Sequence, residues 1–488
     1  METWVSSGFN RAMPIRTACL ALCAAALLVP ATALAGGPGK WTLVSPNTED
    51  NIDQVSLSRT SDGVLHAIYA LKGEQAISHT SISPAGVVGA TSSVQQGWST
   101  IASVPDLVTQ PDGSLRAFFG GLHSTTTGDP NNDFNTATAP ASGDPWTLFG
   151  GPVVKGDAAY ASDAGVALEP DGTPLISFGG TGTGTFVHRG LDPNTPNFPV
   201  TTPSGRCCTY QPDVAVDQGG DAYIAFFSNA TGDEGLWVQG LDRNTGQPTG
   251  VPVHVPGSSV DYNGAQQSVQ QLWRTQIAAR PGGGVWIAGS EGYPVASKPF
   301  VFKVGSTKQI RLGTTLGNDS ITALAPDPAG RLWAVWIDRH AGTPVIVARR
   351  SSVKNPAKFA MFVFAGTPPK TDSCYSLEAN AQAGKLDVVA LCGNASGIGH
   401  WHTQLNPGLD VGASPANVNG RKGSSVKFTV TDPDPVKGAK VSSGGHSAIT
   451  DAGGHATLHL GPTKKKTLSA VVTKAGYTTT VRLFLVKK

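Results

Sequence analysis

The strongest constraint on the fold is a phrase that the chain repeats seven times. In each copy a short apolar run leads into a turn rich in Pro, Asp or Gly, and a second apolar run leaves it, as in PDLVTQPDGSLRAFF at 105–119. The turn glycines are Gly63, Gly113, Gly172, Gly220, Gly283, Gly330 and Gly384. The steps between them are 50, 59, 48, 63, 47 and 54 residues, which is spacing typical of a repeat architecture.

Each copy predicts a β-hairpin. In one first arm Val214 and Val216 alternate with smaller or polar residues, and the second arms are rich in aromatic and β-branched residues, as in LRAFF and LWAVW. About fifty residues per copy suit a four-stranded sheet, and radial repetition of such sheets gives a β-propeller. We therefore predict an all-β chain with a seven-bladed propeller, or a six-bladed one if one copy is an insertion. The orphan strand KWTLVSP at 40–46 is predicted to complete the last blade.

The composition agrees with this reading. Sixty Gly and 35 Pro among 488 residues are too many for a helical protein, while the 39% of hydrophobic residues suffices for a core. After the last hairpin only GHWHTQL at 399–405 remains before the composition changes, so the last repeat lacks a fourth strand of its own. A linear β-solenoid is the structural alternative, but its repeats are usually much shorter.

The N-terminus has the features of a secretory signal peptide over residues 1–35. Arg11 and Arg16 precede the apolar stretch ACLALCAAALLVPATALA at 18–35, which ends in a small-x-small pattern. Cleavage after Ala35 would release a secreted, extracellular or cell-surface protein, and an uncleaved anchor is the alternative. No later segment approaches the roughly 20 apolar residues that span a bilayer.

Four cysteines remain after residue 35, an even number that suits an oxidising compartment. Cys374 and Cys392 are equidistant from the last turn, so they should face each other across an antiparallel pair and form a disulfide. Cys207 and Cys208 are adjacent, and their pattern leaves both a vicinal bridge and free thiols open.

The charge divides the chain into an acidic and a basic part. Residues 36–408, the predicted propeller, carry −7, whereas residues 409–488 carry +8. The segments VKGAKVSSGGHSAITDAGGHATLHL (436–460) and VTKAGY (472–477) resemble bacterial immunoglobulin-like and carboxypeptidase-regulatory-like domains. The resemblance implies a small Ig-like β-sandwich that acts as a spacer or adhesion module. Its basic character suggests an anionic cell-surface polymer as a partner, although the run Lys464–Lys466 also fits a solvated loop.

Carboxylates recur at the start of the predicted inner strands and form the candidate ligand site. If the first strand of each hairpin is innermost, these residues surround one mouth of the central channel. They are Asp53, Asp106, Asp163, Asp213, Asp319 and Glu378. Such a ring would suit a cation, a glycan or a cationic peptide and would repel nucleic acid, whereas the general preference of Asp for turns and strand starts is the competing explanation. No phosphate-binding loop, metal-ligand set or cofactor motif is found, so we predict neither a metal nor a cofactor.

The segments RLWAVWID with VARRSS, and CYSLEANAQAGKLDVVAL, resemble the sialidase superfamily of propellers. The resemblance implies Tyr375 as a catalytic tyrosine and Arg274 and Arg339 as clamps for a substrate carboxylate. The chain departs from the family in having no arginine at the start of the first inner strand and no glutamate clearly placed to deprotonate Tyr375. We therefore predict a non-enzymatic recognition protein for a glycan or peptide. The alternatives are a divergent sialidase-like glycoside hydrolase and a surface structural protein.

Overall fold

The computed structural model of the protein describes residues 40–45, 55–71, 76–98, 100–101, 104–122, 133–154, 162–180, 184–205, 209–258, 275–291, 298–313, 321–340 and 343–487. These residues form strands, turns and loops with no α-helix among them, so the predicted all-β class is confirmed for this part of the chain. Within the same ranges, no helix is long and apolar enough to cross a membrane. The predicted signal peptide, Cys207 and Cys208 lie outside the described residues.

Strands account for most of the described chain. In chain order they are β1 (Thr42–Leu43), β2 (Ser56–Arg59), β3 (Leu65–Leu71), β4 (Ala76–Ile82), β5 (Val88–Gln95), β6 (Thr100–Ile101), β7 (Asp106–Thr109), β8 (Leu115–Leu122), β9 (Asp133–Ala139), β10 (Thr147–Leu148), β11 (Ser162–Leu168), β12 (Pro174–Gly180), β13 (Gly184–Arg189), β14 (Phe198–Val200), β15 (Thr209–Val216), β16 (Ala222–Ser228), β17 (Gly235–Leu241), β18 (Pro248–His254), β19 (Gln276–Ala279), β20 (Val285–Glu291), β21 (Lys298–Lys303), β22 (Ile310–Arg311), β23 (Thr322–Pro326), β24 (Leu332–His340), β25 (Thr343–Arg350), β26 (Val363–Gly366), β27 (Ser373–Gln382), β28 (Lys385–Asn394), β29 (Gly397–Leu405), β30 (Asp410–Ser414), β31 (Asn417–Asn419), β32 (Ser424–Asp432), β33 (Asp434–Pro435), β34 (Lys440–Ser443), β35 (His446–Ile449), β36 (His455–Leu460), β37 (Thr467–Thr473) and β38 (Thr480–Lys487).

The hairpin of β7 and β8 shows why the repeated phrase folds as it does. Gly113 has a φ of +86°, a conformation that a residue without Cβ adopts at low cost. The carboxylate of Asp112 accepts a hydrogen bond of 2.9 Å from the Ser114 amide, which fixes the turn. Beyond the turn, Leu115 and Phe119 are fully buried. The turn residues therefore set the register, and the apolar arm anchors the hairpin in the core.

The strands before residue 406 form seven antiparallel sheets, which we number 1 to 7 by their first strands β2, β7, β11, β15, β19, β23 and β27. Six of them have four strands, and sheet 2 has five because β6 and β7 both pair with β8. Each first strand contacts the first strand of the next sheet, and β27 contacts β2 again. The first strands thus form a closed ring, as the repeated sheets of a β-propeller require.

The apolar cores lie between neighbouring sheets. Val389 and Leu391 of sheet 7 pack with Leu65 and Tyr69 of sheet 1 in one cluster. Sheets 1 and 2 share another cluster, and sheets 6 and 7 share a third. Because each sheet is covered on both faces, all seven residues of β3 are buried rather than every second one.

The first and last parts of the chain close the ring together. β1 pairs with β29 in the registers Thr42↔His402 and Leu43↔Trp401, which places it as the outermost strand of sheet 7. The amide of Val44 extends the pairing with a 2.8 Å hydrogen bond to the His400 carbonyl. The prediction that the orphan strand completes the last sheet is confirmed for these residues.

A buried ionic network spans the same junction. The Asp387 carboxylate on β28 accepts a 2.5 Å bond from Arg59 Nη2 on β2, while its other oxygen lies 2.8 Å from His402 Nε2. Gln382 Nε2 donates a further bond of 3.0 Å. Burial raises the pKa of Asp387, but His402 and Arg59 outweigh it, so the pKa lies below its usual value. Sheets 1 and 7 are therefore held by a charged pair that is almost fully desolvated.

The disulfide was predicted correctly. Cys374 and Cys392 are direct partners across β27 and β28, with their Cα atoms 4.0 Å apart and their sulfurs bonded. Both residues belong to the core shared by sheets 6 and 7. The bridge therefore ties the entry of the last inner strand to the strand behind it.

Residues after Leu409 form two further sheets around a separate core. One contains β30, β32, β33 and β36, and the other contains β31, β34, β35, β37 and β38. Buried residues from both sheets form one apolar cluster, with Phe428 and Phe484 edge to face at its centre. We call this part the C-terminal unit.

The C-terminal unit contacts sheet 6 through charged side chains. Arg350 at the end of β25 forms a buried ion pair with Asp432 at the end of β32. Its guanidinium also lies over the rings of Trp333, at 5.3 Å, and Tyr477, at 5.8 Å. Burial raises the pKa of Asp432 even though Arg350 opposes that shift. The unit is thus attached by a desolvated pair, whose partners depend on each other.

A second set of polar contacts surrounds this pair. Arg331 Nη2 lies 3.1 Å from Asp434, whose carboxylate also accepts a 2.5 Å bond from Ser352 Oγ. The Met361 amide donates a 3.3 Å bond to Asp410. Three aspartates of the C-terminal unit are therefore directed at sheet 6.

Candidate functional site

The structure describes the predicted site residues to different extents. Asp53, Asp319 and Arg274 lie outside the described residues. Asp163 is placed by its backbone in β11 and Arg339 by its backbone in β24. The side chains of Asp106, Asp213, Glu378 and Tyr375 can be placed in full, and they lie on the inner strands β7, β15 and β27.

Asp106 joins three sheets. One carboxylate oxygen accepts a 2.5 Å bond from Ser56 Oγ of sheet 1, and the other accepts a 2.6 Å bond from the Val166 amide of sheet 3. The Leu107 amide bonds to the same carboxylate at 2.8 Å. Asp106 is buried, and its carboxylate accepts hydrogen bonds from one hydroxyl and two backbone amides. Its carboxylate thus has a structural function at the centre of the ring.

Glu378 and Gln276 meet although their sheets are not neighbours. Gln276 Nε2 of sheet 5 donates a 3.4 Å bond to Glu378 of sheet 7, and its oxygen accepts a 3.3 Å bond from the Leu324 amide of sheet 6. Asp213 is half-buried on β15 and accepts a 2.8 Å bond from the Val214 amide. Polar side chains of the inner strands therefore approach one another across the ring.

A fixed spacing in the sequence identifies the inner-strand positions that lie at the same height as Asp106. Asp106 and Asp213 each lie seven residues before a turn glycine, and the same spacing selects Ser56, Gly165 and Gln276 in their own repeats. A pattern of carboxylates alone does not identify Ser56 and Gln276, which occupy the same position in their own repeats. Asp163 precedes the corresponding position of its own repeat, Gly165, by two residues along β11.

The chain direction defines one face of the molecule, which we call the entry face. Each inner strand starts there, and the turn between the second and third strands of the same sheet returns to it. On sheet 7 the entry face includes the β26–β27 connection at 367–372 and the β28–β29 turn at 395–396. The turn glycines of the repeated hairpins lie on the opposite face.

A cavity of about 480 Å³ opens on the entry face beside sheet 7, a size typical of small-ligand sites. Its lining comprises Leu43, Pro369, Lys370, Thr371, Cys392, Gly393, Asn394, Ser396, Gly397 and Trp401. Apolar atoms dominate the walls, and Lys370 carries the single charge. Because Cys392 is disulfide-bonded, part of the wall is covalently fixed.

Lys370 is held in an unusual conformation at the rim of this cavity. Its φ of +59° is the left-handed region that favours glycine. The Asn394 side chain donates a hydrogen bond to the Lys370 carbonyl, and the Asp372 amide bonds to the Gly393 carbonyl at 2.9 Å. The β26–β27 connection is thus fastened to the β28–β29 turn, and the lysine side chain is exposed.

Tyr375 occupies the bulge that follows Cys374 on β27. The pairing with β28 shifts between Cys374 and Ser376, so Tyr375 is the extra residue and 41% of its side chain is exposed. Bulges of this kind redirect a side chain and are frequent beside binding sites. β11 and β15 show similar register shifts near their starts, at Ser162–Gly165 and Tyr210–Asp213.

Within the described residues, no group of three or more His, Cys, Asp or Glu side chains is placed to hold a metal ion. The two histidines of HWH face protein partners, since His402 bonds Asp387 and His400 Nδ1 lies 3.2 Å from Ser45 Oγ.

Comparison with known proteins gives no family. No family model matches the sequence, and no curated protein matches it either. Among solved structures, an α-L-arabinanase of Penicillium chrysogenum complexed with arabinobiose is similar at 11% identity, with 77% of this chain and 98% of that chain covered and a TM-score of 0.45. A polysaccharide lyase described as an ulvan lyase is similar at 10% identity, covering 75% and 96% of the two chains, with a TM-score of 0.45.

A third similar structure is PorZ, a surface component of the type-IX secretion system of Porphyromonas gingivalis. It shares 14% identity over 93% of this chain and 60% of that chain, with a TM-score of 0.45. These TM-scores are too low for the likeness to indicate what this chain binds or does.

Proposed function

We propose that the protein is a secreted, non-enzymatic recognition protein that binds a glycan on the entry face of a seven-bladed β-propeller. In this proposal each of the seven sheets is one blade, residues 1–35 are a signal peptide, and residues 409–488 are an Ig-like β-sandwich domain. The closed ring of inner strands supports the blade count, and the separate core of the C-terminal unit supports the domain boundary.

The observation that carries the proposal is the cavity beside sheet 7. Trp401, Leu43 and Pro369 give it apolar walls, against which the C–H face of a sugar ring can pack. Lys370, Thr371 and Ser396 lie around these walls and can exchange hydrogen bonds with hydroxyl groups. A mostly apolar site with a few polar groups at its rim is the arrangement that small-molecule sites use.

The proposed glycan site also includes the carboxylates of the inner strands. Asp213 on β15 and Glu378 on β27 are half-buried, in contrast to the buried Asp106. Carboxylate oxygens accept hydrogen bonds from sugar hydroxyls, so they can bind an extension of the same ligand. Asp53, Asp163 and Asp319 stay part of this proposed site as predictions from the sequence.

A glycan array with the purified protein tests the proposal, followed by affinity measurements on the best ligand. Lys370→Gly removes the cation and also relieves a positive φ, so the variant should be at least as stable as the wild type while its affinity falls about tenfold. Lys308→Ala, an exposed lysine in the loop between β21 and β22, is the matched control and should keep full affinity. Lack of any glycan binding, or preferential binding of peptides, would contradict the glycan assignment.

The alternative of a sialidase-like hydrolase is favoured by one observation, the exposed and bulged Tyr375. A retaining sialidase needs a base within about 3 Å of this tyrosine together with a carboxylate clamp. We expect no release of sialic acid from fluorogenic substrates by the wild type. Turnover that disappears in Tyr375→Phe would establish the hydrolase and exclude the non-enzymatic proposal.

A further inference from the structure

In the C-terminal unit the basic cluster and the aspartates lie at opposite ends, which the order of residues in the sequence does not reveal. β32 runs from Ser424 to Asp432, and eight steps along a strand span about 26 Å. At its far end lie the aspartates that contact sheet 6. At its near end, three chain segments meet, and all three are basic.

Backbone hydrogen bonds hold these three segments together. The Gly420 amide donates to the Lys487 carbonyl at 2.7 Å, and the Thr463 amide donates to the Gly420 carbonyl at 2.9 Å. The Val486 amide donates to the Lys466 carbonyl at 3.0 Å. The turn after β31, the loop before β37 and the end of β38 are thus joined at one end of the unit.

Six exposed cations lie on these segments, and we call them the basic end. They are Arg421, Lys422, Lys464, Lys465, Lys466 and Lys487. The segments contain no acidic residue, and in the described part of the chain none of the six cations forms an ion pair. Their charge is therefore directed to solvent.

The four aspartates of the unit are all at the other end. Asp410, Asp432 and Asp434 bond to sheet 6, as described above. Asp451 lies in the turn before β36, where the Gly454 carbonyl accepts a 2.8 Å bond from the Val430 amide. A separation of about 26 Å exceeds the Debye length of about 8 Å at physiological salt, so these aspartates do not neutralise the basic end.

We infer that the basic end is a docking surface for an acidic polysaccharide, a binding activity that goes beyond the glycan site proposed on the propeller. Five of the six cations are lysines, four of them on turns or loops, and lysines bind repeated anionic groups as point charges without bidentate selection. The segments carry no aromatic side chain on which a nucleobase could stack. The nearest exposed apolar residues, Leu483 and Leu485, lie on the face of the sheet rather than on the loops at the end. Together these features favour an acidic polysaccharide over nucleic acid or a lipid surface.

The orientation of the unit supports this inference. Its acidic end is fixed to sheet 6 by the buried Arg350–Asp432 pair, so the basic end is held on the side away from the propeller. The protein could therefore bind a polyanion through one end and present the propeller to a different ligand.

Binding of fluorescently labelled heparin to the purified protein tests the inference. Affinity should fall steeply with salt, and replacement of Lys464, Lys465 and Lys466 by Ala should weaken binding more than tenfold and flatten the salt dependence. The matched control replaces Lys427, Lys437 and Lys440 by Ala, which removes the same charge from exposed positions outside the basic end. The control should bind within about twofold of the wild type, and both variants should keep the wild-type unfolding temperature because all six side chains are exposed.

Three outcomes would overturn the inference. Equal losses in both triple variants would mean that net charge, and not the basic end, determines binding. Absence of heparin binding at low salt would exclude the docking surface. Tighter binding to duplex DNA or to vesicles containing phosphatidylserine than to heparin would replace the polysaccharide by another partner class, and vesicle binding would be checked with Leu483→Ser.

Discussion

A buried histidine pair predicts how the stability of the propeller depends on pH. His66 on β3 and His79 on β4 are both buried, with 2.9 Å between Nδ1 of His66 and Nε2 of His79. Their outer nitrogens face hydroxyl groups, since His66 Nε2 lies 3.3 Å from Thr60 and His79 Nδ1 lies 3.2 Å from Ser92. Since one hydrogen bond joins the two rings, one nitrogen must accept and cannot carry a proton.

The pKa shifts give the sign and the magnitude. Burial, and then the neighbouring His66, lower the pKa of His79 from 6.5 to about 4. Burial also lowers the pKa of His66, although Asp62 opposes that shift. Because the folded pKa lies below the unfolded one, the neutral pair stabilises the fold above pH 6.5, and this contribution is lost as the pH falls toward 4. For His79 alone the loss between pH 7.5 and pH 5 is about 2 kcal/mol.

Urea unfolding of the wild type and of His79→Gln at pH 7.5 and pH 5 measures this contribution. The wild type should lose about 2 kcal/mol more than the variant between the two pH values. His459→Gln, at an exposed position on β36, is the control and should follow the wild type. Equal losses in the wild type and His79→Gln would refute the reasoning.

Three further stability predictions follow from buried contacts. Replacing Cys374 and Cys392 together by Ala should lower the free energy of unfolding by about 3 kcal/mol, measured with urea, and an unchanged value would contradict a stabilising bridge. Asp387→Ala leaves the Arg59 guanidinium and the His402 ring without their buried partner and should cost about 3–5 kcal/mol, with a loss under 1 kcal/mol as the contrary result. Arg350→Leu leaves the buried Asp432 carboxylate without its ion-pair partner and should increase proteolytic cleavage between the propeller and the C-terminal unit. Cleavage at the wild-type rate would show that the pair does not hold the unit in place.

Much of the fold follows from patterns within single repeats. The turn glycines mark the hairpins because their backbone conformation is local, and the symmetric spacing of Cys374 and Cys392 gives their register because antiparallel pairing is set by the turn. The orphan strand at the start was predictable since the last repeat lacked a fourth strand. The full burial of β3 was less apparent, because it results from packing between sheets and not from an alternating pattern.

The candidate site was predicted only in part. Asp106 was identified as an inner-strand carboxylate, but its bonds to sheets 1 and 3 depend on the register between repeats, which one hairpin does not show. The cavity draws Leu43 and Lys370 together from distant parts of the chain. The basic end likewise depends on which strand ends of the C-terminal unit coincide.

The most direct test of the proposed function is a hydrogen-exchange footprint of the protein with the tightest glycan from the array. A ligand in the cavity should slow exchange of the amides at 370–372 and 393–401, and it should leave the hairpin turns on the opposite face, such as the amides at 112–114, unchanged. Protection confined to those turns or to the C-terminal unit, with the cavity residues unaffected, would contradict a glycan site on the entry face.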